Sequence, residues 1–249
     1  MPPADLAEVV SRLRALASAG VGVVDEPAGK DLLRVLGVLV PEGRAVASPD
    51  EAAAAGGELG WPVGLKIVVP GLVHKSDVGG VAGPLCSPGA VRQAAAVMLN
   101  RLDGTLLVEA WAADGVDCFV GLSLRGPLGP VVSVGLGGIW VEALRDVAHR
   151  AAPVSPQEAE EALTSLRGVA LLRGGRGHAT VDLVALAESV ALISRLALVP
   201  EVREVVSEMD VNPLRMYASG APIALDCTIV LAPSPPCGVE GDSFVGAAA

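Results

Sequence analysis

Apolar residues recur at helical spacing near the N-terminus. Leu6, Val9, Val10, Leu13 and Leu16 share one face of residues 4–18, with Asp5, Glu8, Arg12 and Arg14 on the others, which predicts an amphipathic helix. A glycine turn at Gly20 and Gly22 leads to a second helix over 27–36, closed by Gly37, and to a short extended piece over 38–40 stopped by Pro41. Ser48-Pro49-Asp50-Glu51 has the form of a capping box, with Glu51 reaching back to the cap, and predicts a helix over 49–59. The β-rich run 63–69 reads as a strand, residues 70–80 as a loop broken by Gly and Pro, and Ser87-Pro88 opens a helix through about Arg101. Strands are predicted at 105–110, 116–124 and 130–135. A second capping box, Ser155-Pro156-Gln157-Glu158, starts a helix to about Leu166, another helix spans 181–198, and apolar runs at 205–211 and 222–230 close the pattern. No periodicity follows Leu231, and a loose tail is expected there.

Composition narrows this to α/β architecture. The apolar share is 51%, yet the aromatic residues are only three Trp, two Phe and one Tyr, so the core must be built from Val, Leu, Ile and Ala, as in sheets covered by helices. A chain of 249 residues suits one large domain or two lobes of roughly 100 residues with a cleft between them. The formal charge is -10, from 28 acidic and 18 basic residues, and no basic run is long enough to track a phosphate backbone, so nucleic acid is excluded as the expected partner. Neither a signal peptide nor a membrane span is predicted, because Asp5 and Glu8 precede any apolar stretch and Arg34 interrupts the run 32–40. Cys86, Cys118, Cys227 and Cys237 lack CxxC spacing and do not cluster with His74, His149 or His178. Neither disulfides nor zinc are indicated, and a reduced cytoplasm is the expected compartment.

Four groups of residues could carry chemistry. Lys66 lies within the apolar run Leu65-Lys66-Ile67-Val68-Val69, where it must find an anion or reach solvent from an edge strand. His74-Lys75-Ser76-Asp77-Val78-Gly79-Gly80 gathers titratable side chains beside two glycines. Imidazole nitrogen is a competent nucleophile toward phosphorus, and Lys75 with glycine amides could neutralise a phosphoryl group, although a loop histidine is also commonly just a surface group. Gly135-Leu136-Gly137-Gly138 permits close approach to a phosphate, but lacks the Gly-Lys-Ser/Thr ending of a Walker A loop. On the last strands, Glu208, Asp210 and Asn212 alternate, with Asp226 following. Oxygen ligands from adjacent strands suit Mg²⁺, and the same alternation also describes a solvated hairpin face.

In order, Leu65-Lys66-Ile67, His74 to Val81, Gly135-Leu136-Gly137-Gly138-Ile139, Leu171-Leu172-Arg173-Gly174-Gly175-Arg176-Gly177 and Asp210-Val211-Asn212-Pro213-Leu214 resemble the β subunit of ADP-forming acetate–CoA ligases. These are relatives of succinyl-CoA synthetase with an ATP-grasp fold, and the resemblance covers roughly residues 25–230. It departs from the family at Val69-Pro70-Gly71-Leu72-Val73, at Ala82-Gly83-Pro84 and at Val108-Glu109-Ala110-Trp111, which stands for the more usual Gln-Glu-Met.

The resemblance implies ATP-grasp lobes over 25–105 and 106–230, which the apolar pattern brackets with an N-terminal helix over 1–24 and a flexible tail over 231–249. It implies that Lys66 contacts nucleotide phosphates, that Glu109 lies near the adenine or ribose, that Gly135, Gly137 and Gly138 belong to the nucleotide site, and that Asn212 and Asp226 hold Mg²⁺. His74 matches the histidine that takes phosphate from a phosphohistidine on a CoA-binding α subunit and hands it to ADP, with Asp210 beside the relay. The implied reaction is acyl-CoA + ADP + phosphate ⇌ carboxylic acid + CoA + ATP, with a separate α subunit required. A non-catalytic ATP-binding protein and a carboxylate ligase working through an acyl-phosphate are the alternatives.

Overall fold

The computed structural model describes residues 5–72, 75–138, 141, 144–175 and 180–232. Two antiparallel sheets, each carrying helices on one face, form two cores. The smaller sheet has the order β2-β5-β3-β4, with β2 Gly43–Val46, β3 Val63–Val68, β4 Val81–Leu85 and β5 Thr105–Ala110. Its inward residues Val63, Leu65, Ile67, Leu106 and Val108 pack on α3 (Pro49–Leu59) and α4 (Pro88–Arg101). Ala52, Ala53 and Ala55 make α3 slim enough to lie close to the strands. The alternate residues of β3 and β5 point away from that core: Gly64 pairs with Glu109, and Lys66 with Leu107.

The larger sheet runs β1-β11-β9-β6-β7-β8, with β10 beside β9. Its strands are β1 Val23–Val24, β6 Val116–Ser123, β7 Val131–Leu136, β8 Val147–Ala151, β9 Val206–Met216, β10 Ile223–Ala224 and β11 Thr228–Leu231. One face is buried under α1 (Leu6–Ser18), α2 (Glu26–Leu36), α5 (Pro156–Thr164) and α7 (Leu183–Ser194), the last two flanking the short α6 Val169–Leu172. A final short helix, α8 Pro200–Val205, leads into β9. The opposite face carries Gly121, Ser133, Glu208, Asp210 and Thr228.

Local signals set the helix starts. Asp5, Asp25, Ser48, Ser87, Ser155 and Asp182 each accept the amide three residues on, a cap worth about 1 kcal/mol apiece. The reciprocal box forms at Ser155 and Glu158. At Ser48 it does not close as expected, because Glu51 accepts from the amide of Ala47 instead of the cap's own.

Several elements differ from the sequence reading. The run 222–230 is two strands, separated by Leu225-Asp226-Cys227. β9 continues past 211 to Met216 through Pro213, and β4 continues through Pro84. β2 and β8 escape an apolar pattern because Gly43, Arg44, His149 and Arg150 interrupt them. Nor do the cores divide at 24 and 105: Leu32, Leu33 and Leu36 of α2 belong to the larger core, and all of β5 lies in the smaller sheet. Leu231 completes β11 and Ala232 is buried, while the remainder of the expected tail, 233–249, lies outside the described residues. Cys86, Cys118 and Cys227 are free thiols. Among the described residues no helix is long and apolar enough to cross a membrane.

Candidate functional site

Lys66 is largely buried and finds its anions within the chain. From the uncovered face of β3 its ammonium meets Glu26 at 2.5 Å and Glu109 at 3.2 Å, and donates to the carbonyl of Leu225. Glu26, the first residue of α2, also accepts from Lys30 at 2.6 Å and from Lys75 at 2.6 Å. Lys30 bonds Glu109 as well, and Lys75 pairs with Asp226 at 3.1 Å. Three carboxylates and three ammonium groups thus form one neutral cluster. Lys66, Lys75 and Glu109 come from the smaller sheet and its following loop, and Glu26, Lys30 and Asp226 from the larger-core side.

Such a cluster survives burial only because every charge has partners. Burial by itself would raise the carboxyl of Glu26, but Lys66, Lys30 and Lys75 outweigh it and hold the group at about 2. Burial disfavours the ammonium of Lys66 too, yet Glu26, Glu109 and Asp226 raise its pKa. Lys75 is raised in the same way against its own burial, by Asp226 and Glu26. For Lys30, burial and the charge of Lys66 win over the carboxylates and lower it.

Asp210, Asn212 and Asp226 lie on β9 and the β10–β11 connection. Leu214 and Val211 of β9 pair with Cys118 and Val120, so three steps on β9 match two on β6. This bulge at 212–213 re-aims Asn212, whose Oδ1 accepts from the amide of Gly138 at 2.9 Å. Asp226 caps the amide of Cys227 at 2.8 Å while holding Lys75. Asp210, the direct register partner of Thr228 and of Gly121, is reached by solvent on one side, yet the burial it does have and the charges of Asp226 and Glu208 push it up to about 6.

Among the described residues no three His, Cys, Asp or Glu side chains converge as a closed metal cage. The donor set fits Mg²⁺ in its usual manner, with few protein oxygens completed by water and phosphate. Burial first, and then the charges of Asp226 and Glu208, raise the carboxyl of Asp210, and a hard cation there would offset the charge part.

The glycines have packing reasons of their own. A Cβ on Gly135 would sit 2.5 Å from the ring of Phe119, and one on Gly137 2.3 Å from the carbonyl oxygen of Cys118. Gly138 has φ +62. The amides of Gly137 and Gly138 already donate to Asp117 and Asn212, so neither is free for a phosphate in this arrangement.

The structure therefore brings Lys66, Glu109 and Asp226 into one cluster with Asp210 beside it, pairs Asn212 with Gly138, and keeps Gly135 and Gly137 within strand packing. His74 lies outside the described residues. Sequence reasoning missed Glu26 and Lys30, which resemble a surface i,i+4 pair. The available signal was position: 26, 30 and 33 follow one helical stripe, and Leu33 is fully buried. Lys75, expected to face a phosphoryl group, turns inward and is 7% exposed.

Comparison with known proteins identifies the family. The model of the ATP-grasp domain family matches residues 15–231. The β subunit of ADP-forming acetate–CoA ligase I from Pyrococcus furiosus is 35% identical over 215 residues, covering 83% of this chain and 90% of that one. The ADP-forming 4-hydroxybutyrate–CoA ligase of Nitrosopumilus maritimus is 33% identical over 204 residues, covering 78% of this chain but 29% of that longer protein. A solved structure of the dinucleotide-forming acetyl-coenzyme A synthetase 1 of Ca. Korarchaeum cryptofilum is similar with a TM-score of 0.78 and 35% identity, covering 90% of this chain and 100% of that one. It holds coenzyme A and Mg-AMPPCP, with a phosphohistidine segment pointing towards the nucleotide-binding site. The chain belongs to the ATP-grasp family, with a fold of two lobes and a nucleotide cleft between them, and matches the β subunits of ADP-forming acetate–CoA ligases.

Proposed function

We propose that this chain is the nucleotide-binding β subunit of an ADP-forming acyl-CoA ligase, acting with a CoA-binding α subunit in the cytoplasm. It transfers a phosphoryl group between a phosphohistidine of that subunit and ADP through His74. The observation that carries this reading is the meeting of Lys66 and Lys75, from the smaller sheet and its following loop, with Glu26, the Leu225 carbonyl and Asp226 of the other lobe.

In the direction of ATP synthesis, phosphorus passes from the α-subunit imidazole to a ring nitrogen of His74, and then to a terminal oxygen of ADP. Each transfer breaks one P–N bond as the next bond to phosphorus forms. The protein's work is positioning and charge neutralisation. Lys66 would hold nucleotide phosphates once its ammonium is shared with them as well as with Glu26, Glu109 and the Leu225 carbonyl. Asn212 and Asp226 would hold Mg²⁺, which supplies neutralising charge to phosphate oxygens when bound. Asp210, with its raised proton affinity, is suited to keep a hydrogen bond to the relay imidazole or to release its proton as positive charge arrives.

The test is transfer of labelled γ-phosphate from Mg-ATP to the purified chain. Acid-labile label on the wild type, absent from His74→Ala, is expected. A folded wild-type chain that binds nucleotide but takes no label overturns the proposal.

A further inference from the structure

Trp111 follows β5 directly, and its amide donates to the carbonyl of Pro62 at 3.1 Å, so the chain is still extended there. Being two residues beyond Glu109 and four beyond Leu107, it shares their face, the one that carries Lys66 and Gly64. Its indole lies across β3 onto β4. A Cβ on Gly64 would be 3.5 Å from the ring, and one on Gly83 only 2.4 Å. Two bare strand positions thus form a flat seat, which fixes one face of the indole against the sheet. The residue nonetheless remains 37% exposed.

We propose that the outer face of Trp111 is the stacking surface for the base of the bound nucleotide. This rests on the reading of the cleft as a nucleotide site. Along β5 the open face presents, in order, the position paired with Lys66, then Glu109, then Trp111, spanning about 13 Å at the rise of a strand. That is the order of a nucleotide's phosphate, sugar and base. A seated indole stacks on a base with little loss of side-chain freedom, and stacking is tolerant of base identity because every base has a π-face.

The test uses the full chain and two probes, Mg-ADP and Mg-tripolyphosphate, the second having charge but no base. With Trp61→Phe and Trp140→Phe, Trp111 is the sole tryptophan of the three. Its emission should be quenched by Mg-ADP and not by Mg-tripolyphosphate. By calorimetry, Trp111→Ala should weaken Mg-ADP binding roughly 10- to 100-fold and leave Mg-tripolyphosphate unchanged, with Trp111→Phe retaining most of the affinity. Equal Mg-ADP affinity in wild type and Trp111→Ala overturns the stacking role while nucleotide binding stands. Parallel loss of both probes in Trp111→Ala also overturns it, since the indole then serves only to hold the fold. A wild-type chain that binds neither probe overturns the nucleotide reading itself.

Discussion

Glu26 Oε1 accepts hydrogen bonds from both Lys30 and Lys66, so a single carboxylate oxygen on α2 joins its own helix to β3 of the other lobe. The two lobes are held here by charge rather than by shared strands, and Glu26 is the member with the most partners, touching all three lysines. Removing it leaves three ammonium groups facing Glu109 and Asp226 alone. Glu26→Ala should lower unfolding free energy by about 3–5 kcal/mol, the usual cost of stripping one partner from a buried pair. Urea denaturation measures it, and a loss under 1 kcal/mol would show the cluster to be hydrated and loosely coupled.

The same residue sets an acid limit. Glu26 is held at about 2 in the folded chain against 4.5 for a free carboxyl. Because the folded state binds this proton more weakly than the unfolded state, its contribution is complete above about pH 4.5 and is lost as pH falls through 2. Glu26→Gln should flatten the stability–pH curve across that window. An unchanged acid limb would place the acid sensitivity elsewhere.

Asp210 has the opposite sign. Its carboxyl is raised from 3.8 to about 6, so the folded state binds the proton more tightly. The stability it provides is present below about pH 3.8 and is lost as pH rises through 6. Carbon-13 NMR of the side-chain carboxyl should show a midpoint near 6. Addition of Mg-ADP should move that midpoint down, because a cation beside Asp226 offsets the negative charge that adds to burial in raising it. A midpoint unmoved by saturating Mg-ADP would mean that the cation binds away from β9.

Much of the fold was open to sequence reading because its signals are local. Helix caps at Ser48, Ser87 and Ser155 act within three residues, and the alternation of Met209 and Val211 against Glu208 and Asp210 is visible in β9 itself. Lys66, Glu109 and Asp226 were singled out, but not the company they keep. Glu26 and Lys30 lie 40 and 36 positions before Lys66, and nothing in the neighbourhood of either indicates which lobe they will face. The strands β2, β4 and β8 were hidden because edge positions tolerate Gly, Pro, Arg and His.

The glycines of the β7 end separate two physical roles that the sequence could not. Gly137 faces the backbone of β6 so closely that a methyl group would lie 2.3 Å from the oxygen of Cys118, and a backbone atom cannot swing aside as a side chain can. Gly137→Ala should therefore cost about 1–3 kcal/mol, a fall in Tm of roughly 2–10 °C for a chain of this size, with or without nucleotide. At Gly138 the space is open, with the nearest atom 3.7 Å from a Cβ, and only the left-handed φ of +62 resists substitution. Gly138→Ala should cost about 1–2 kcal/mol through backbone strain alone, and Gly138→Asn, which tolerates that conformation, should recover most of it. Scanning calorimetry on the three variants distinguishes these roles. If Gly137→Ala melts with the wild type while Gly138→Ala and Gly138→Asn fall equally, close packing on β6 is not what keeps this segment free of side chains.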